Sequence, residues 1–145
     1  MTNQAQIKTN KVLISKELIY PELSYKLIGI AFKVYNSLGF GLQEKYYQRA
    51  FEKELTGLSM PYERECMIDL QYNGEKIGKY FLDFLIDNKI VVELKVAPRL
   101  RHIHIKQVFE YLKVLNKKLA ILIFFTDQGV RYRRIINPNY MDIST

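Results

Sequence analysis

The stretch from Tyr80 to Lys95, YFLDFLIDNKIVVELK, holds two apolar runs that carry charge where a buried strand should carry none. Asp83 sits at the centre of the first run, Tyr80 to Ile86, and Glu93 and Lys95 interrupt the second, Ile90 to Val96. Side chains alternate faces along a strand, so Glu93 and Lys95 point the same way. If Asp87-Asn88-Lys89 form a three-residue hairpin loop, position 83 lies directly across from position 93; a two-residue loop shifts that pairing by one. Two carboxylates facing each other repel. They need a cation between them, and a mobile Lys95 is not the whole answer. A divalent metal is the natural one, and magnesium favours one or two carboxylates, several waters and a substrate phosphate.

The chain of 145 residues is long enough for one domain with one core. We expect that domain over 21–138, a flexible arm over 1–20, where no period is visible, and a frayed tail over 139–145. Apolar residues make up 48%, a globular proportion. No apolar run reaches the length of a membrane span. The opening MTNQAQIKTNK lacks the apolar core of a signal peptide, so the expectation is a cytoplasmic protein without a membrane partner. Cys66 is the single cysteine, which excludes an internal disulfide and a thiolate zinc site. The net charge of +7 favours a polyanionic partner.

Leu23, Leu27, Ile30, Ala31, Val34 and Leu38 recur at helical spacing after Pro21-Glu22, and Gly39 and Gly41 should end that helix. A second helix is expected from Leu42 or Gln43 to about Leu55, with Gly57 as its stop and Glu44 in its first turn, at the positive end of the helix dipole. Met67 to Tyr72 has strand character, Asn73-Gly74 is a hairpin turn signal, and the return strand is Ile77 to Ile86. A third strand, Ile90 to Val96, stops at Pro98. A basic loop, Arg99 to His102, leads to a helix over Ile103 to Asn116, with Ile105, Val108, Leu112 and Leu115 as its core stripe and Gln107 and Tyr111 on a neighbouring face. Leu119 to Phe125 reads as a buried strand, and Asp127-Gln-Gly129 turns into a last strand, Val130 to Ile136. The order is helix, helix, three antiparallel strands, helix, strand, strand (ααβββαββ). That is an α+β or α/β fold: one mixed central sheet flanked by helices.

Phosphodiester cleavage needs a nucleophilic water, neutralisation of the pentacoordinate charge and a stabilised leaving oxygen. A carboxylate-held magnesium supplies the first two. A nearby lysine positions or helps deprotonate the water and offsets phosphate charge. Asp83, Glu93 and Lys95 are the parts for this. On spacing alone, a structural ion pair between Lys95 and one carboxylate at a sheet edge accounts for them equally well. What adds weight is that all three interrupt strands that otherwise read as core, where unpaired charge is expensive.

Strand-borne Asp83 and Glu93-Leu94-Lys95, followed by a helix with Gln107, resemble the PD-(D/E)XK nuclease superfamily. Its restriction-endonuclease-like core of helix, three strands, helix and strand is similar to the order from Glu44 to Phe125. Gly41-Leu-Gln-Glu44-Lys-Tyr-Tyr47 resembles the motif of the GxxExxY protein family within it, together with Pro61-Tyr-Glu63, Gly78 and the pair Gln107 and Tyr111. The resemblance spans roughly 22–137. It implies a Mg²⁺- or Mn²⁺-dependent nuclease acting on DNA or RNA, with Asp83, Glu93 and the carbonyl of Leu94 on the metal. By the same resemblance Glu44 would be an outer ligand or hold a water bound to the metal. Lys95 would act on the water or scissile phosphate, and Gln107 would orient Lys95 or touch the phosphate backbone. Tyr47, on the Glu44 face, would hydrogen-bond into the site. The superfamily's frequent Pro-Asp is Leu82-Asp83 here. Many members of the superfamily are dimers, which leaves a homodimer open.

Lys95, Arg99, Arg101, Lys106, Tyr47 and Tyr111 are the candidate nucleic-acid contacts, and Arg131, Arg133 and Arg134 extend the basic set. Such cations bind phosphate without reading sequence, and elsewhere they merely solvate a surface. Either Glu63 or Glu65, ahead of the first strand, could approach the metal, but both read first as surface salt-bridge partners. His102 and His104 lack the further ligands a zinc site requires. Two other classes of function stay open: a catalytically silent nucleic-acid-binding module with a nuclease fold, and an assembly protein whose eleven tyrosines form an interface.

Overall fold

A computed structural model describes residues 19–143, so residues 1–18 of the expected arm and 144–145 of the expected tail lie outside the described residues. Helix α1 spans Pro21–Leu38 and α2 spans Glu44–Gly57. Strands β1 (Tyr62–Tyr72), β2 (Glu75–Ile86) and β3 (Ile90–Val96) follow, then helix α3 (His102–Leu115) and strands β4 (Leu119–Thr126) and β5 (Gly129–Ile136). This is the expected order. Five strands form one sheet in the order β1-β2-β3-β4-β5. Neighbours are antiparallel except β3 and β4, which are parallel and joined by α3. Parallel neighbours need such a crossover, because a tight turn can only reverse the chain.

Helices α1 and α2 cover one face of the sheet and α3 the other. On the first face Leu27, Val34, Phe51 and Leu55 meet Phe84, Val92, Ile121 and Phe125. On the second, Val108, Tyr111 and Leu112 meet Leu82, Val91, Leu122 and Ile135. Ile105 and Leu115 of the expected α3 stripe are only partly buried. Every residue of β4 is buried, as a strand covered on both faces requires. In β3, Ile90, Val92 and Leu94 face α1 and α2, and Val91 faces α3, so alternation turns Glu93 and Lys95 towards the α3 side.

Several boundaries differ from the sequence expectation. Strand β1 begins at Tyr62 rather than Met67 and β2 at Glu75 rather than Ile77, because the two pair along almost their full lengths. The segment Glu63-Arg64-Glu65 carries no apolar alternation because β1 is an edge strand whose outward side chains are charged. Helix α2 runs through Gly57; its end is closed by the Leu58 N–H donating to the Glu54 carbonyl at 3.1 Å. The described part of the tail is held: the Asn116 side chain donates to the Met141 carbonyl at 2.8 Å and accepts from its N–H at 3.1 Å.

Candidate active site

The β2–β3 loop is Asp87-Asn88-Lys89, with Asp87 and Asn88 at φ 50 and 54. Ladder pairs run Ile86–Ile90, Leu85–Val91 and Phe84–Val92, so the three-residue register holds and position 83 is next opposite position 93. There the ladder stops. The Asp83 N–H donates to Glu93 Oε1 at 2.7 Å, and the Leu94 N–H donates to Asp83 Oδ2 at 2.8 Å. Each carboxylate takes a backbone donor of the opposite strand, where an ordinary ladder would offer a carbonyl. Side-chain alternation also breaks at this point: Phe84 packs towards α1 and α2, whereas Leu82, two residues earlier, packs towards α3. On the other side of β2, the register pairs Arg64 with Phe84 and Cys66 with Leu82 and skips Asp83. Glu65, the residue passed over, holds φ 54, a conformation that costs about 1–3 kcal/mol for a non-glycine residue and concentrates at functional sites.

The exchange draws two carboxylates into a poorly solvated split. Glu93 is 2% exposed and Asp83 half-buried. Burial, then the charge of Asp83, pushes the Glu93 carboxyl up to about 8 against the pull of its hydrogen bond from Asp83. Burial pushes Asp83 up to about 6, with the Leu94 hydrogen bond and Lys95 opposing. Lys95 Nζ lies 3.7 Å from Glu93 Oε2, and its side chain is 22% exposed, so it reaches both the carboxylate and solvent. Glu44, in the first turn of α2, accepts the Val96 N–H at 3.2 Å. Its charge acts on both Asp83 and Glu93. The fold thus brings Glu44 from a distant segment to the end of β3.

Beside Lys95 a cleft of about 730 Å³ opens between α3 and the β1–β2 hairpin, with His104, Lys106, Gln107 and Tyr80 among its walls. Gln107 and Lys106 therefore share a cavity with Lys95. His104, whose Nδ1 is buried without a partner among the described residues, is pushed below the usual histidine range by burial and by Lys95. Arg99 and Arg101 are exposed on the loop leading into α3.

Two candidates are placed elsewhere. Tyr47 is 0% exposed, its hydroxyl donates to the Gly39 carbonyl at 2.5 Å, and its ring stacks on Phe125 at 4.4 Å. It closes the α1–α2 loop and has no surface to offer a nucleic acid. Tyr111 is 1% exposed and packs edge-on against Tyr80. Burial and the charges of Glu93 and Asp83 drive its hydroxyl far up, and the buried ring makes no surface contact. Arg134 is also structural: it donates to the Ile19 carbonyl and to Ser24 Oγ, both at 3.0 Å, tying β5 to the start of α1. Arg131 and Arg133 are exposed. Glu65 pairs with Arg64 at 3.6 Å, and Glu63 accepts from Cys66 Sγ at 3.2 Å, both at the surface.

The sequence reading missed Gln48 and Arg64. Gln48 Nε2 donates to Asp83 Oδ1 at 3.0 Å, and Arg64 Nη2 donates to Gln48 Oε1 at 3.4 Å. The available signal was helical: Gln48 lies one turn beyond Glu44 on the same face.

Among the described residues no three Asp, Glu, His or Cys side chains converge as a ready-made metal cage. The donor set fits a smaller demand. Two hard-oxygen carboxylates meet in a split where backbone donors and Lys95 offset only part of their burial and mutual repulsion, and magnesium asks the protein for one or two carboxylates, with waters and phosphate completing the shell.

Residues 21–135 match the PD-(D/E)XK nuclease superfamily. Among solved structures, the one described as "Crystal structure of SSO0001" is similar to this chain in fold, at 22% identity and a TM-score of 0.50. The match covers 68% of this chain and 52% of that one, so the chain spans about half the length of that relative. None of the curated proteins matches. With a superfamily match over most of its length and a mixed sheet flanked by helices in the restriction-endonuclease-like order, the chain belongs to the PD-(D/E)XK nuclease superfamily.

Proposed function

We propose that this protein is a Mg²⁺- or Mn²⁺-dependent nuclease that hydrolyses phosphodiester bonds of DNA or RNA, and that it is of the GxxExxY kind within its superfamily. The observation that carries the reading is Glu93, a 2%-exposed carboxylate set opposite Asp83 with Lys95 at 3.7 Å. A fold that only needed a stable sheet would place apolar side chains there. Asp83, Glu93 and the Leu94 carbonyl would hold the ion, and Glu44 would fix the Val96 backbone and the outer edge of its shell. When bound, the ion lowers the pKa of water and polarises the phosphoryl oxygen. Lys95, anchored on Glu93, orients the attacking water and offsets charge on the scissile phosphate. Gln107 orients Lys95 or contacts the phosphate from the wall of the cleft. Arg99, Arg101 and Lys106 supply sequence-independent phosphate contacts.

The catalytic unit is the segment 21–138, and it works in the cytoplasm on a nucleic acid partner, alone or as a homodimer. Among the described residues no helix is long and apolar enough to cross a membrane. The test is cleavage of a panel of labelled DNA and RNA substrates by wild type and Glu93→Ala. Metal-dependent products from the wild type, absent from a folded Glu93→Ala protein, are expected. Cleavage by the variant at the wild-type rate would refute the assigned site.

A further inference from the structure

We infer that Gln48, oriented by Arg64, is a positioning residue that presents the Asp83 carboxylate to the divalent ion; the inference rests on the metal-site reading above. Arginine offers only donors. With Arg64 Nη2 against Gln48 Oε1, the amide oxygen must face Arg64 and the NH₂ must face Asp83, where it donates to Oδ1 at 3.0 Å. The direction of the amide is therefore dictated by its partners. Arg64 is itself fixed from two sides: Nη1 donates to Glu52 Oε1 at 3.2 Å, and the guanidinium lies over the Phe84 ring at 5.4 Å. Glu52 also accepts the Tyr62 hydroxyl at 3.1 Å. Thus α2, β1 and β2 jointly lock one side chain that ends on Asp83.

The effect on Asp83 is specific. Its Oδ2 is held by the Leu94 N–H at 2.8 Å and its Oδ1 by Gln48, so the plane of the carboxylate is fixed at both oxygens. Each oxygen keeps a further lone pair for an ion. Without Gln48 the group is held at one oxygen and turns about that bond. The group in contact with Asp83 is an uncharged amide, which keeps the Arg64 guanidinium one side chain away, although its charge is still felt at Asp83; an ammonium bonded there directly would compete with a divalent cation. Partners of this kind behind metal ligands are worth about 10–100-fold in metal affinity.

The test uses the full chain as wild type, Gln48→Leu, Gln48→Met, Arg64→Met and Gln48→Leu/Arg64→Met. Mn²⁺ binding is read from the loss of the free-ion electron paramagnetic resonance signal, and folding from thermal unfolding in chelator. Both Gln48 variants should bind Mn²⁺ about tenfold or more weakly than wild type while melting close to it. Arg64→Met should also weaken binding, and the double variant should be no weaker than Gln48→Leu alone, because Arg64 acts through Gln48. A purely structural role would move the melting temperature and leave affinity in place. Gln48→Met retains side-chain length, so a folding defect confined to the leucine variant does not decide the outcome. Mn²⁺ affinity in Gln48→Met within about twofold of wild type, below the range for such partners, would overturn the inference and spare the metal site. Failure of the wild type to bind Mn²⁺ would overturn the metal-site reading and this inference with it.

Discussion

Asp83 and Glu93 exchange backbone for side chain across the β2–β3 boundary: the Asp83 N–H is bound by the Glu93 carboxylate at 2.7 Å, while the Asp83 carboxylate binds the N–H of Leu94 at 2.8 Å. The pair ends the ladder at Phe84–Val92 and puts two acids into the gap so formed. A local fault in strand pairing thereby becomes the place where charge accumulates, and the chemistry follows from how that charge is neutralised.

The first consequence concerns stability. Glu93 and Asp83 are raised to about 8 and about 6, so the folded chain binds more protons than the unfolded chain between roughly pH 4.5 and 8. Stability falls wherever the native state holds the extra protons and pH rises. In chelator the melting temperature should therefore decline from pH 5 to pH 8. Glu93→Gln should flatten the decline, and Mn²⁺ should oppose it. A melting temperature that rises over that range in chelator would contradict the assigned burial of charge.

Lys95 has a role separable from ion binding. Lys95→Ala should lower the cleavage rate about 10²–10⁴-fold, the range for loss of a proton-transfer or positioning group, while Mn²⁺ binding persists. Single-turnover cleavage beside a metal titration checks both halves. An unchanged rate would leave Lys95 as an ion-pair partner of Glu93 and nothing more.

Tyr47 should act on the fold. Tyr47→Phe removes the hydroxyl that binds the Gly39 carbonyl and lies 3.4 Å from the Leu42 N–H. The expected loss is about 1 kcal/mol in chemical denaturation, with affinity for nucleic acid unchanged. A fall in affinity without loss of stability would restore it as a contact residue.

Binding of nucleic acid should weaken steeply with salt, since phosphate contacts release counterions. Replacing Arg99, Arg101 or Lys106 by Ala should each reduce the logarithmic salt slope by about one. Anisotropy titrations of a labelled oligonucleotide with a cleavage-deficient variant measure this, and a flat salt response would argue against a polyanionic partner.

Much of the fold was legible in the chain. The limits of β3 were read correctly because Ile90 to Val96 is an apolar run closed by a turn and a proline, and the Asp83–Glu93 register followed from counting a three-residue loop. The start of β1 was not legible, because Tyr62 to Cys66 is held by pairing with β2 and has no apolar pattern of its own. The meeting of Glu44 with the end of β3, and of Gln48 with Asp83, depends on how α2 packs on the sheet, which no local spacing encodes. Tyr47 and Tyr111 were assigned to nucleic acid because a tyrosine at a helical position looks alike whether its ring is exposed or, as here, buried. Arg134 belonged to a basic run by sequence, and tertiary structure turned it inward onto Ser24.

The most direct test of the site is a calorimetric Mn²⁺ titration of the wild-type chain beside Asp83→Ala and Glu93→Ala. Saturable binding by the wild type, lost in both variants, is expected. Binding of equal strength in the variants, or none in the wild type, would contradict the claim that these two carboxylates hold the ion.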